Sequence, residues 1–75
     1  MSIYFIPLFS LPTIIEEPVD YITRCGERVT IERTSARNDF NCVGHYSECG
    51  TAEQWHKTGR IMASSETLND IVKRL

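Results

Sequence analysis

Long hydrophobic runs, paired metal-ligand knuckles, glycine-rich phosphate loops and a basic surplus are all missing from this 75-residue sequence. Each absence narrows the field. The longest uncharged stretch, Met1 to Ile15, is interrupted by Pro7 and Pro12 and is too short and too broken to span a bilayer. It also lacks the basic leader and small-residue cleavage site of a secretory signal, which predicts a cytoplasmic protein with no membrane partner. Ten acidic residues against eight basic ones give a net charge of -2, a poor balance for binding nucleic acid mainly by phosphate neutralisation. Cysteine is scarce and odd in number. Cys25, Cys42 and Cys49 predict reduced thiols and no disulfide framework. At 8.6 kDa the chain has room for one small domain, which buries only about 60–65% of the surface its unfolded form would expose.

What is present divides in two. Residues 1–18 form an apolar, proline-punctuated arm, and charge is interspersed through residues 19–75, which read as one small domain. Prolines at 7, 12 and 18 exclude a helix through the arm and favour extended backbone. Tyr21 to Arg24 and Glu27 to Arg33 flank Cys25-Gly26, which reads as a two-residue hairpin turn pairing Arg24 with Glu27 and Ile22 with Val29. From Phe40 to Ser47, Phe40, Cys42, Gly44 and Tyr46 alternate with Asn41, Val43 and His45. Glu48 to Thr51 turns the chain through Gly50, Ala52 to Lys57 forms a further strand, and Thr58-Gly59 makes another tight turn. Trp55 is expected in the core against Ile61 or Met62. Leu68, Ile71, Val72 and Leu75 fall at i, i+3, i+4 and i+7, the stripe of a helix, with Ser64 or Ser65 as its cap. The expected fold is α+β or mostly β: an antiparallel β-meander with one short C-terminal helix.

Chemistry-bearing residues are sparse. Cys42-x-x-His45-x-x-x-Cys49, with His56 and Cys25 elsewhere, contains the donor types for tetrahedral zinc. A regular strand points residues 42 and 45 to opposite faces, so no cofactor is expected, and zinc remains the alternative that needs a bulge at Gly44. A Cys/His nucleophile pair would also need an oriented base, an oxyanion hole and a cleft, so the reading is non-enzymatic. Arg24, Arg28, Arg33 and Arg37 concentrate positive charge near Tyr21 and Phe40, but Glu27, Glu32 and Asp39 offset it. The uncharged arm needs a cover. Tyr4, Phe5 and Phe9 are therefore candidate partner-binding residues together with the four arginines, and a homodimer with exchanged or abutting arms is one closed arrangement.

Three fragments carry a resemblance. Tyr21-x-Thr23-Arg24-x-Gly26-x-x-Val29, then Trp55-x-x-x-Gly59-Arg60, then Asp70-Ile71-Val72 together resemble a loose group of small β-rich accessory proteins of tailed phages and prophages. The likeness spans Tyr21 to Val72 and leaves the arm unmatched. The group often has Asp where this chain has Cys25, which serves the turn equally well. The resemblance implies a phage accessory product acting inside a bacterial host cell by protein–protein binding on a host protein or ribonucleoprotein complex. The concrete form is an inhibitor of a host-defence complex, of anti-CRISPR or anti-restriction type. The alternative is a small nucleic-acid-binding regulator using the arginine-rich hairpin, with or without a zinc staple.

Overall fold

The computed structural model describes residues 11–75. Five strands form one antiparallel sheet: β1 (Asp20–Thr23), β2 (Arg28–Arg33), β3 (Cys42–Tyr46), β4 (Ala52–Trp55) and β5 (Ile71–Arg74). Their order across the sheet is β4-β3-β2-β1-β5, so the meander read from the sequence holds through β4 and the last strand returns to the edge beside β1. The sheet curls far enough for its two ends to touch. The Ile71 N–H donates to the Gly59 carbonyl at 2.9 Å, and Trp55 Nε1 donates to the Asn69 carbonyl at 3.0 Å.

The curl encloses a core of Ile15, Tyr21, Val29, Ile31, Cys42, Tyr46, Trp55 and Ile71, with Ile14, Val19 and Ile61 packed against it. Alternation generates it: Tyr21 and Thr23 from β1, Val29 and Ile31 from β2, and Cys42, Gly44 and Tyr46 from β3 all point inward. Trp55 is fully buried and packs edge-on to Tyr46, with ring centroids 5.7 Å apart. Ile61 lies against this core, whereas Met62 is exposed. Gly44 allows β2 and β3 to approach, because a Cβ there would lie 2.3 Å from the Thr30 carbonyl oxygen.

The first hairpin differs from its expected register by one residue. Tyr21 pairs with Val29 and Ile22 with Arg28. The Thr23 N–H donates to the Glu27 carbonyl at 2.9 Å, leaving Arg24-Cys25-Gly26 as a three-residue loop. Gly26, at φ 92°, takes the left-handed position that closes such loops with a bulge. This register brings two fully buried side chains, Tyr21 and Val29, directly opposite each other, which the expected pairing did not. Thr58-Gly59 also belongs to a three-residue loop, Lys57-Thr58-Gly59, closed by a bond from His56 N–H to the Arg60 carbonyl at 2.8 Å.

The C-terminal segment is a strand where the sequence predicted a helix. Among the described residues there is no helix, and the stripe is divided: Ile71 is buried, while Leu68, Val72 and Leu75 are exposed. Non-local pairing outcompetes the local pattern here. The β1 side captures the segment through Arg24 N–H to Asp70 O at 2.8 Å, Cys25 N–H to Leu68 O at 3.0 Å and Leu75 N–H to Asp20 O at 3.1 Å. An eight-residue helix has little stability of its own against that competition.

The last part of the arm is woven into the domain. The N–H groups of Ile14 and Ile15 both donate to the Lys57 carbonyl at 2.9 Å, and Ile15 is 1% exposed. Tyr21 Oη donates to the Glu17 carbonyl at 2.8 Å and accepts from the N–H of Glu16 at 3.2 Å. Tyr4, Phe5 and Phe9 lie outside the described residues.

Candidate functional site

The residues singled out from the sequence are scattered over the sheet. Cys42 is buried on the inner face opposite Trp55, where burial pushes its thiol pKa up. His45 lies on the outer face, its Nδ1 3.2 Å from Glu32 Oε1. Cys49 is exposed in the β3–β4 turn. Its Sγ is 3.2 Å from Thr51 Oγ1, a hydrogen bond that lowers the thiol pKa. His56 sits in the core end of the Lys57 loop. The structure thus places Cys42 and His45 on opposite faces of β3, and among the described residues no three His, Cys, Asp or Glu side chains gather as a metal-holding group.

His56 has one assignable tautomer. Its Nδ1 accepts from the Thr58 N–H at 3.3 Å and lies 3.0 Å from Thr58 Oγ1, so the ring proton resides on Nε2. Nε2 is buried and has no hydrogen-bond partner among the described residues, and Phe40 packs edge-on to the ring at 5.3 Å. Burial, with a smaller contribution from Lys57, lowers the His56 pKa and keeps the imidazole neutral. The Tyr46 hydroxyl is likewise buried with no partner among the described residues, and burial raises its pKa to about 12.

Three of the four hairpin arginines face carboxylates. Arg28 binds Asp20 through Nε at 2.9 Å, and that bond, joined by one from Thr30 Oγ1 at 2.8 Å, holds the Asp20 pKa below its ordinary value. Arg37 Nε lies 3.8 Å from Asp39 Oδ2. Arg24 extends over the start of β5, with Nε donating to the Thr67 carbonyl at 3.2 Å and Nη2 3.7 Å from Asp70 Oδ2. Arg33 is exposed on the far side, beside Thr34, Ser35, Asn41 and Val43. The arginine run is therefore distributed over the surface and forms no single basic stripe.

Asp70 organises the best-built polar site and was not singled out by the sequence reading as a chemical residue. It is 1% exposed. Its Oδ1 accepts from Thr67 Oγ1 at 2.7 Å and from the Ile61 N–H at 3.2 Å, and its Oδ2 accepts from the Thr67 N–H at 3.0 Å. Two guanidinium groups then converge on the same oxygen: Arg24 Nη2 at 3.7 Å and Arg60 Nε at 4.0 Å. Arg60 also approaches Glu66 at 3.6 Å. Beside them opens a shallow cleft whose other wall is apolar, formed by Leu11, Pro12, Ile14 and Val72. The legible signal was Thr67-x-x-Asp70, a side-chain acceptor three residues after a Thr, which organises a turn as readily as a helix start.

No family model, curated protein or solved structure was found to match this chain.

Proposed function

We propose that this chain is a non-enzymatic binding module that acts by docking on another protein. The observation that carries the reading is the exposed apolar set on and around β5. Leu68, 67% exposed, and Leu75, 61% exposed, flank β5, and Val72 is exposed on that strand, which lies at one edge of the sheet. Exposed strand edges and clustered apolar side chains are what partner chains add to. Leu11 and Pro12 line a cleft together with Val72, and the sequence before them carries the further apolar residues Tyr4, Phe5 and Phe9. The finer version, an inhibitor of a host-defence complex made by a phage or prophage in the bacterial cytoplasm, rests on the sequence resemblance. Homodimerisation through the arm belongs with it.

Capture from bacterial lysate tests this reading. Wild-type bait is expected to retain a partner through moderate salt, and the double variant Leu68→Asp with Leu75→Asp is expected to lose it while keeping its circular dichroism spectrum. Capture that disappears steeply between low and moderate salt would transfer the function to the nucleic-acid alternative. Capture unaffected by the double variant would remove β5 from the interface.

A further inference from the structure

We infer that the cleft between Arg24, Arg60 and Val72 binds a peptide carboxylate carried next to an apolar side chain. The inference rests on the protein-docking reading and names the chemistry of the partner segment. Its basis is an imbalance of donors over acceptors. The Asp70 carboxylate is satisfied by three neutral donors, Thr67 N–H, Thr67 Oγ1 and Ile61 N–H. Neither arginine reaches it at hydrogen-bond distance. Each guanidinium carries five N–H donors. Among the described residues, the Arg24 guanidinium makes its hydrogen bond to the Thr67 carbonyl, and Arg60 approaches Glu66 only at 3.6 Å. Asp70 thus compensates one of the two positive charges, and Glu66, 61% exposed, is a solvated counter-charge at the rim.

The Arg60 side chain is only 16% exposed, so its charge is largely removed from water and gains most from an entering anion. A carboxylate fits this donor set because two guanidinium groups can grip both of its oxygens. Leu11, Pro12, Ile14 and Val72 then provide an apolar wall next to the charged end. That pairing selects a Leu-Glu or Leu-Asp type of segment over a bare anion. The chain's own first fifteen residues carry no carboxylate side chain, so they cannot fill the charged end through a side chain.

The test uses the full chain, labelled with nitrogen-15 and titrated with acetyl-Leu-Glu-amide, with acetyl-Leu-Gln-amide and with inorganic phosphate. The Glu peptide should shift the Nε–H signals of Arg24 and Arg60 and the Val72 amide in a saturable way. The Gln peptide and phosphate should each bind about tenfold more weakly or worse. Arg24→Gln should lower the affinity for the Glu peptide to that of the Gln peptide. Val72→Asp, which alters an exposed side chain, should do the same while the spectrum stays dispersed. Equal binding of the two peptides, shifts that map elsewhere, or phosphate matching the Glu peptide would each overturn the assignment. Failure of the Glu peptide with partner capture retained would overturn this inference and leave the docking reading intact. Peptide binding with no capture sensitive to Leu68 and Leu75 would support the cleft and overturn the β5 interface.

Discussion

The loops Arg24-Cys25-Gly26 and Lys57-Thr58-Gly59 are built alike and placed in opposite surroundings. Both are closed by a backbone pair across three residues, Thr23 with Glu27 and His56 with Arg60, and both end in a glycine, at φ 92° and 89°. At Gly26 an added Cβ would meet nothing within 4 Å. At Gly59 it would lie 2.1 Å from the Ile71 carbonyl oxygen, inside the junction of the two sheet ends. Arg24 and Cys25 are exposed, whereas Thr58 is 6% exposed and His56 fully buried. One backbone device therefore serves as a solvent-facing tip in the first case and as a packed seam in the second. Local geometry sets the conformation, and surroundings set the cost of changing it.

The largest expected effect breaks the seam. Gly59→Ala combines a strained positive φ with backbone overlap, and it should cost about 3 kcal/mol or more, read from urea denaturation. Stability within about 1 kcal/mol of wild type would place Gly59 away from Ile71. Asp70 touches both loops, accepting from Ile61 N–H just after the second and facing Arg24 of the first. Asp70→Ala should cost about 2–3 kcal/mol by stranding buried donors. Asp70→Asn, which keeps one acceptor oxygen, should cost less. Equal losses would mean that charge governs the site and not the hydrogen bonds.

Gly26→Ala should cost only about 1 kcal/mol, the price of left-handed backbone without any clash. The ratio of the two glycine effects measures how different the two loops are. The smallest effect is a pH dependence confined to the seam. The folded His56 pKa lies below its ordinary 6.5, so on acidification the unfolded chain takes up its proton first. The contribution of His56 is complete above 6.5 and is lost as pH falls below it. The melting temperature should therefore drop as pH falls through and below 6.5. The His56 ring resonance should titrate below 6.5, and titration at or above 6.5 would contradict its burial. Asp20 acts in a separate, lower window: its pKa is held below 3.8, and its contribution is lost only as pH falls below that value.

Alternation was the most legible part of the fold. Cys42, Gly44 and Tyr46 point inward as their period-two spacing requires, and Trp55 lies in the core because no other side chain of its size is available to fill it. The hairpin register was not legible from Cys25-Gly26, since a Gly can close a two-residue or a three-residue loop. The deciding term is the pairing of Tyr21 with Val29 across the strands. Leu68, Ile71, Val72 and Leu75 misled because their helical spacing spans only two turns, too short to outweigh pairing with a partner, β1, that lies some fifty residues away in sequence. Asp70 escaped for a similar reason. Its two arginines, Arg24 and Arg60, follow β1 and β4, strands that are not neighbours in the sheet, and only the curl brings them together.

The pairing of β1 with β5 has a consequence for synthesis. Tyr21 meets Val29 almost as soon as both are made, but its other neighbour, Arg74, is added last of all the strand residues. At the pace of translation, β1 stays open on one side for on the order of several seconds per molecule. During that interval the nascent chain displays an uncapped strand and the bare face of Tyr21, a state prone to wrong pairing with its neighbours on a polysome. Slowing elongation between codons 56 and 70 should therefore lower the yield of soluble protein, even though the finished sequence is unchanged.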